Sequence, residues 1–354
     1  MSYFRASIDD LQAYEPGEQP AAGATVVKLN TNENPYPPSA QAIAALTSVD
    51  PDDLRRYPRP FADEFRESAA EILGVDRDWI LVGNGSDDLL TMLLRSVAAS
   101  DRSVAYPVPT YSLYRTLARI QNAPTVEVAF NDAYTLPVEA LVATQAALTL
   151  VANPNSPSGT RAPNDVLGDL AAALAGVLVI DEAYAEFASG NALELTRRFD
   201  NVIVLRTLSK SHSLAGLRLG FAVAPPPLIA GLVKVKDSYN VDAVAARVGA
   251  AAIRDTAHTR ANVTRVCASR ARVAHALSGL GCRVWPSEAN FLLVRPPEGN
   301  ANTVYAALKA QGLLVRFFDE PTLRDKLRIT IGTDEQNDQL VTALTHVLVD
   351  AGSG

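Results

Sequence analysis

The segment that constrains the fold most is Val202 to Val223, which reads VIVLRTLSKSHSLAGLRLGFAV. It begins with an apolar run, Val202–Leu205, and ends with a second one, Gly220–Val223. Short apolar runs rich in β-branched residues predict strands buried on both faces of a sheet. Between the runs lies a polar turn that carries Lys210, and Arg218 follows eight residues later. The pattern predicts a buried sheet with a lysine and an arginine near one of its ends.

Lys210 stands beside two residues with hydroxyl groups, Thr207 and Ser209. A partly buried lysine can supply a free amine, which forms a Schiff base with an aldehyde. The two hydroxyls and the guanidinium of Arg218 are suited to a phosphate group. We therefore predict that the turn binds an aldehyde cofactor that carries a phosphate. The alternative is an ordinary loop lysine, as most lysines are.

A second segment, Val177 to Phe187, reads VLVIDEAYAEF and supports this prediction. Its first part predicts a buried strand that ends at Asp181. Ligands of doubly wound sheets bind at the carboxyl ends of the strands, so Asp181 and Lys210 are expected at one edge. A buried carboxylate can keep a pyridine nitrogen protonated there, and Tyr184 can donate to a phenolic oxygen. Asp181 could also cap a helix, which is compatible with the first role.

Seven motifs follow one another along nearly the whole chain: YEPGEQ, KLNTNENPYPPS, RYPRP, NPNSPSG, VIDEAY, TLSKSHSLAGLRLG and LRITIGT. Together they resemble the fold-type I aminotransferases, and among them the histidinol-phosphate aminotransferases. The resemblance implies pyridoxal 5'-phosphate as the cofactor, bound to Lys210. It also implies an α/β fold, with a large domain whose mostly parallel sheet is covered by helices and a smaller α+β domain.

The resemblance further implies a reversible amino-group transfer. L-Histidinol phosphate and 2-oxoglutarate would give imidazole-acetol phosphate and glutamate in histidine biosynthesis, in ping-pong order. Lys210 would act as general base and acid, and Asp181 would stabilise the protonated ring. Two alternatives share the fold: an aminotransferase for phenylalanine or tyrosine, and a threonine-phosphate decarboxylase. The presence of Lys210, Asp181 and Tyr184 disfavours an inactive relative or a cofactor-binding regulator.

The turn Gly83–Asp87 is another expected cofactor contact. It lacks the third glycine of a dinucleotide-binding motif, since Asp88 stands in its place. A strand-turn-helix unit still offers backbone N–H groups at a helix start to one phosphate. The resemblance implies phosphate contacts from Gly85, Ser86 and Asp87, and capping of the helix by Ser86 or Asp87 is compatible with them.

Four further residues are expected around the cofactor from the resemblance. Tyr111 would stack on the pyridine ring. In the loop NPNSPSG, Ser156 stands where the family has asparagine, so either Ser156 or Asn155 would contact the phenolic oxygen. Tyr57 would reach the phosphate in the neighbouring subunit, which implies a homodimer.

Four residues match substrate contacts of the family: Tyr14, Asn290, Arg316 and Arg328. A phosphate monoester presents three acceptor oxygens and nearly two negative charges. Two arginines and a tyrosine hydroxyl are suited to such a group. Taken singly, either arginine could instead be a surface residue in a salt bridge.

Composition sets the wider limits. The chain has 354 residues, of which 48% are hydrophobic and 20% charged, as is typical of a globular enzyme with a large core. A net charge of −7 and a pI near 5.2 argue against nonspecific nucleic-acid binding, so an anionic substrate needs local arginines. Two cysteines and four scattered histidines predict neither a disulfide framework nor a metal site. No stretch is apolar enough to span a bilayer, and the polar start favours the cytoplasm.

The chain divides into three parts. Residues 1–40 are rich in proline and polar residues and predict an N-terminal arm. Strand and helix patterns alternate over residues 41–245, which predicts the large cofactor-binding domain with a mostly parallel sheet. A long helical tract is predicted from about Pro227 to Leu280, and a strand is predicted over Leu313–Phe317. Residues 246–354 are assigned to the small C-terminal domain.

Overall fold

The computed structural model describes residues 2–11, 17–20, 23 and 26–351. Its strands are β1 (Val27–Lys28), β2 (Ile80–Gly83), β3 (Val104–Val108), β4 (Thr125–Ala129), β5 (Leu148–Ala152), β6 (Val177–Asp181), β7 (Val202–Thr207), β8 (Gly220–Val223), β9 (Arg283–Val284), β10 (Phe291–Arg295), β11 (Leu313–Leu314), β12 (Arg316–Phe317) and β13 (Leu327–Thr330). Its α-helices are α1 (Ala6–Asp9), α2 (Ala40–Thr47), α3 (Pro51–Arg55), α4 (Asp63–Leu73), α5 (Ser86–Val97), α6 (Leu113–Ile120), α7 (Val138–Ala143), α8 (Asn164–Ala173), α9 (Leu195–Arg198), α10 (Pro226–Val233), α11 (Ala243–Arg254), α12 (Thr256–Gly279), α13 (Ala301–Ala310) and α14 (Asp334–Ala351). Tyr14, a predicted substrate contact, lies outside the described residues.

The largest sheet has seven strands in the order β2-β8-β7-β6-β5-β3-β4. β8 runs antiparallel to β2 and β7, and the other neighbours are parallel. Along β7, Val202 and Val204 pack on the face covered by α7 and α8, and Ile203 and Leu205 pack on the face covered by α5 and α6. Because helices cover both faces, the first four residues of the strand, Val202–Leu205, are all apolar. The predicted α/β fold with a mostly parallel sheet is confirmed.

A second core lies around a four-stranded antiparallel sheet with the order β12-β13-β10-β9. Helices α12, α13 and α14 contribute buried side chains to it. The short strand β1 pairs in parallel with β11, and the Leu29 carbonyl then accepts from the Thr330 N–H at 2.9 Å. The chain continues to the turn of Lys210, where Asn34 Nδ2 donates to the lysine carbonyl at 3.0 Å. The segment after β1 therefore connects the second sheet to the edge of the large one.

Three local features differ from the sequence predictions. The helical tract expected from about 227 to 280 is divided among α10, α11 and α12, because Asp255 ends α11 and accepts from the His258 N–H as the cap of α12. The strand expected over 313–317 is split into β11 and β12, which pair with different partners. The edge strand β4 was not predicted, because its side chains are exposed or half-buried and lack a continuous apolar run.

Gly249 provides a test of the close packing between α11 and α4. A Cβ atom there would come within 2.1 Å of Leu219 Cδ2 and 3.0 Å of Phe65 Cδ2, and both side chains are fully buried. We predict that Gly249→Ala lowers the free energy of unfolding by about 1–3 kcal/mol through overpacking. Urea denaturation measures the difference.

Gly231→Ala in α10 is the matched control for this substitution. No heavy atom lies within 4 Å of a Cβ at Gly231, so the alanine meets open space. The higher helix propensity of alanine should therefore raise the free energy of unfolding by up to about 1 kcal/mol. A stabilised Gly249→Ala variant would contradict the packing described for α11.

Candidate active site

A cavity of about 270 Å³ lies at the carboxyl ends of the central strands. The register pairs Ala152 with Asp181 and Asp181 with Leu205, so β5, β6 and β7 end side by side. Many of the predicted site residues line this cavity: Ser86, Asp87, Tyr111, Ser156, Asp181, Tyr184, Thr207, Ser209, Lys210, Arg218, Arg316 and Arg328. Motifs from distant parts of the sequence are thus brought to one place.

Asp181 ends β6, and its side chain is buried in the wall of the cavity. Its Oδ2 accepts from the Tyr114 hydroxyl at 2.8 Å, and its Oδ1 accepts from the Ala183 N–H at 3.3 Å. Burial raises the pKa of Asp181 to about 6, while the hydrogen bond from Tyr114 opposes the rise. The carboxyl group is therefore held in one orientation, and a cation beside it would favour its ionised form.

Lys210 lies in the turn that follows β7, as the sequence predicts. Its Nζ donates to the carbonyl oxygen of Thr31 at 3.2 Å and lies 5.9 Å from the centre of the Tyr184 ring. Asn34 donates to the carbonyl oxygens of Lys210 and Ser211, at 3.0 and 3.2 Å. The segment after β1 therefore holds both the backbone and the amine of this lysine.

The start of α5 forms an end of the cavity that is suited to an anion. Gly85 is the N-cap, and no side chain of the described residues caps this helix, so Ser86 and Asp87 do not have the capping role considered from the sequence. A Cβ on Gly85 would lie 2.8 Å from Arg218 Nη2, so glycine allows the guanidinium to approach the helix start. Arg218 Nη2 also pairs with Asp87 Oδ2 at 3.2 Å. Backbone N–H groups at a helix start and a guanidinium together favour a phosphate.

Two hydroxyl groups from the β7 turn face the same cavity. Thr207 Oγ1 donates to Ser209 Oγ at 2.9 Å, and the Ser209 N–H donates back to Thr207 Oγ1 at 3.2 Å. Because Ser209 Oγ accepts from Thr207, its own hydrogen points in another direction. Ser209 can therefore donate to an anion bound beside Arg218.

Tyr111 provides an aromatic wall. Its hydroxyl donates to Asp87 Oδ1 at 3.1 Å, and its ring meets the ring of Tyr114 nearly edge-on, with the centres 5.7 Å apart. These two contacts hold the ring at the cavity surface, where a flat ligand can stack on it.

The loop NPNSPSG presents Ser156, and not Asn155, to the cavity. Asn155 is buried within the loop: Oδ1 accepts from the Thr110 hydroxyl at 2.9 Å, and Nδ2 donates to Ser158 Oγ at 2.9 Å. These bonds occupy the amide and explain why Asn155 does not line the cavity. Ser156 Oγ accepts from Arg328 Nη1 at 3.2 Å.

Arg316 and Arg328 face each other across β12 and β13, and both line the cavity. Their guanidinium carbons lie 5.2 and 5.6 Å from the ring centre of Phe318. Arg328 Nη2 also donates to the carbonyl oxygen of Asn30 at 2.8 Å. Two guanidinium groups on one wall are suited to a group with more than one negative charge.

Besides Asn155 and Gly85, two more predicted site residues, Asn290 and Tyr57, do not line the cavity. Asn290 is fully buried and donates from Nδ2 to the carbonyl oxygen of Asn32 at 3.0 Å, so it reaches the cavity only through Asn32. Tyr57 is 82% exposed, and its ring stacks on that of Tyr239 with the centres 4.6 Å apart. The expected contact of Tyr57 with a neighbouring subunit stays a prediction.

Two residues at the site were missed or assigned differently from the sequence. Tyr114 packs in the core and also bonds to Asp181, a contact that the sequence does not predict. Its position three residues after Tyr111, about one helical turn, was the available signal. Asn32 lines the cavity and donates from Nδ2 to the Tyr184 hydroxyl at 2.9 Å. It stands within the motif KLNTNENPYPPS, but the motif does not reveal its partner.

A buried ion cluster supports the ends of β6 and β7. Arg206 pairs through Nε with Glu182 at 2.8 Å and through Nη1 with Glu186 at 2.6 Å. Burial raises the pKa of Glu182, while the charge of Arg206 favours its ionised form. Arg206 precedes Thr207 in β7, and Glu182 follows Asp181, so this cluster joins the two strand ends that carry cavity residues.

Within the residues that the structure describes there is neither a metal-binding cluster nor a membrane-spanning helix. No group of histidine, cysteine, aspartate and glutamate side chains there is arranged to hold a metal ion. In the same residues, every helix is too short or too polar to cross a membrane.

Comparison with known proteins agrees with this site. The family model described as aminotransferase class I and II matches residues 24–344. Histidinol-phosphate aminotransferase 1 of Trichormus variabilis is 54% identical over 347 residues, which cover 98% of this chain and 99% of the relative. Histidinol-phosphate aminotransferase of Rhodopirellula baltica is 44% identical, with coverage of 98% and 96%.

Solved structures agree with these relatives. The crystal structure of histidinol-phosphate aminotransferase from Sinorhizobium meliloti, in complex with pyridoxal-5'-phosphate, matches with a TM-score of 0.91 at 25% identity and covers 99% of each chain. The resemblance inferred from the motifs is therefore confirmed. This chain belongs to the class I and II aminotransferases, and within them it groups with the histidinol-phosphate aminotransferases.

Proposed function

We propose that this enzyme transfers an amino group between L-histidinol phosphate and 2-oxoglutarate, which gives imidazole-acetol phosphate and glutamate in histidine biosynthesis. The observation that carries the proposal is one cavity lined by Lys210, Asp181 and the pair Arg316 and Arg328. The names of the relatives support the same substrate. The proposed cofactor is pyridoxal 5'-phosphate, which is bound in the structure from Sinorhizobium meliloti.

The described residues fit this cofactor, since the cavity combines an amine, a buried carboxyl group and an anion-binding helix start. When bound, pyridoxal phosphate supplies an aldehyde for amines and a protonated ring that withdraws electrons. Asp181 would keep the ring nitrogen protonated, and Tyr114 would keep the carboxylate oriented. The remaining contacts would come from residues around the phosphate and the ring: Gly85, Ser86, Asp87, Tyr111, Ser156, Tyr184, Thr207, Ser209 and Arg218.

Lys210 is the residue that would move the proton. Once the substrate amine has replaced Lys210 on the cofactor, the free Nζ can remove the proton from the substrate Cα and return it later. The Thr31 carbonyl, 3.2 Å from Nζ, would keep the amine at the cavity during this exchange. A single lysine thus serves as general base and general acid.

The arginine pair would serve both substrates in turn. In a ping-pong order, the second substrate enters the cavity after the first product has left. Histidinol phosphate carries a phosphate and 2-oxoglutarate a distal carboxylate, and guanidinium groups bind either anion through paired hydrogen bonds. Arg316 and Arg328 can therefore hold both molecules by their anionic ends.

We also propose a cytoplasmic homodimer in which Tyr57 contacts the cofactor phosphate of the neighbouring subunit. The support is the exposed aromatic stack of Tyr57, which is 82% exposed, on Tyr239, because aromatic residues are enriched at protein interfaces.

Arg316 provides the test of substrate choice. We predict that Arg316→Gln lowers kcat/KM for histidinol phosphate about 10- to 100-fold, because a charged hydrogen bond to the phosphate contributes about 1.5–3 kcal/mol. For histidinol, which lacks the phosphate, the substitution should lower kcat/KM less than about threefold, since this substrate has no group for the arginine to bind. Steady-state kinetics with both substrates measure the two effects.

The control for Arg316 is Arg324→Gln, which removes an exposed arginine paired with Asp319 at 3.5 Å. Arg324 does not line the cavity, so both substrates should react as with the unaltered enzyme. Phenylalanine and threonine phosphate complete the panel. A higher kcat/KM for either of them than for histidinol phosphate would contradict the proposed substrate.

Asp181 provides a test of the cofactor site through pH. Its pKa of about 6 means that the carboxyl group gains a proton as the pH falls through 6. The protonated ring of the cofactor favours the ionised form, so cofactor affinity should fall about tenfold for each pH unit below 6 and level off above it. Equilibrium dialysis at pH 4.5 to 8 measures this dependence.

Asp181→Asn is the control for the pH experiment. The cofactor phosphate has a second pKa near 6 and titrates in the same range. Asparagine has the same shape as aspartate but does not titrate. The phosphate contributes equally to the pH dependence of cofactor affinity in both proteins, so the difference between them is due to Asp181. Equal pH dependence in both would count against the role of Asp181.

A further inference from the structure

Asn32 occupies a strongly constrained position beside Tyr184, which is proposed above to contact the cofactor. It is buried and has a positive φ of 57°, a conformation that asparagine tolerates better than most residues. Its backbone N–H donates to Thr330 Oγ1 at 3.0 Å, and its carbonyl accepts from Asn290 Nδ2 at 3.0 Å. The backbone of Asn32 is therefore held from two sides, by Thr330 of β13 and by Asn290, which directly precedes β10.

The bonds to Thr330 determine which way the Asn32 amide points. Because Thr330 Oγ1 accepts from the Asn32 N–H, its own hydrogen is available to donate, and it does so to Asn32 Oδ1 at 3.1 Å. The reverse orientation would point Nδ2 at this hydroxyl and deprive the buried Thr330 hydrogen of its acceptor, which is costly. Oδ1 thus faces Thr330, and Nδ2 faces Tyr184.

The direction of this amide determines the direction of the Tyr184 hydroxyl. Nδ2 carries only hydrogens, so the Tyr184 oxygen must accept from it, as the distance of 2.9 Å indicates. The tyrosine hydrogen then points away from Asn32, and Tyr184 lines the cavity. The ring itself is held by an edge-on contact with Phe291, with the centres 5.1 Å apart.

We infer that Asn32, oriented by Thr330, is a positioning residue that makes Tyr184 a hydrogen-bond donor to the bound cofactor. The inference rests on the proposed function, because it takes the phenolic oxygen of pyridoxal phosphate as the acceptor. A donor at this oxygen favours its ionised form. The visible absorbance of the bound cofactor should therefore change with pH at a lower midpoint than it would without Asn32.

Asn32→Asp is the sharpest test, because aspartate has the same shape and also tolerates a positive φ. A carboxylate can only accept, so Tyr184 would turn its hydrogen toward residue 32 and away from the cofactor. The midpoint of the spectral titration should rise by about one pH unit, toward that of Tyr184→Phe. The titration is read from absorbance without substrate and does not depend on turnover.

Thr330 provides a matched pair of variants that adds no charge. Thr330→Val keeps the shape but removes the hydroxyl that orients the amide, so the midpoint should rise in the same direction. Thr330→Ser keeps the hydroxyl, and its midpoint should equal that of the unaltered enzyme. Thermal unfolding of each variant establishes that it is folded, and Thr330→Val decides the test if Asn32→Asp does not fold.

The possible outcomes separate this inference from the proposed function. Higher midpoints in Asn32→Asp and Thr330→Val, with Thr330→Ser unchanged, would support the inference. A normal cofactor band in the unaltered enzyme with the same midpoint in the folded Thr330→Val variant would overturn it. An unaltered enzyme that shows no visible band with added pyridoxal phosphate would instead contradict the proposed function.

Discussion

The parallel register of the central strands is the constraint on which the site depends. Because β5, β6 and β7 end side by side, the residues that close these strands meet at one edge of the sheet. Asp181 is the last residue of β6, and Lys210 lies in the turn after β7. A one-residue slip of either strand would turn its alternate side chains to the opposite face. Apolar packing on both faces of the sheet therefore also determines the position of Asp181 and Lys210, the groups proposed to be catalytic.

Burial determines the pKa of Asp181, and a hydrogen bond offsets part of the free-energy cost of burying its charge. The pKa of Asp181 rises to about 6 because the carboxyl group is desolvated, while Tyr114 supplies a hydrogen bond that stabilises its ionised form. Near the ends of β6 and β7, Arg206 forms ion pairs with both Glu182 and Glu186. Asp181 and Glu182 are thus each held by hydrogen bonds to side chains from other elements.

The sequence was sufficient for features that are encoded locally. The apolar runs predict the strands, and the lysine and aspartate at their ends predict the edge where a ligand binds. The roles of Asn32 and Tyr114 could not be predicted in this way, because their partners Thr330 and Asp181 come from distant parts of the chain. The choice between Ser156 and Asn155 depends on the conformation of a loop, which residue types alone do not determine. The edge strand β4 was missed because a half-exposed strand lacks the apolar run that marks the buried ones.

The most direct test of this account is a single-turnover spectrum of the protein loaded with pyridoxal phosphate. The visible absorbance is recorded after histidinol phosphate is added without any keto acid, with Lys210→Ala as the control. We predict a rapid, saturable loss of the absorbance and one equivalent of imidazole-acetol phosphate per site, and 2-oxoglutarate should then restore the absorbance. Release of the keto product by folded Lys210→Ala at the same rate, or no product from the unaltered protein, would contradict the account.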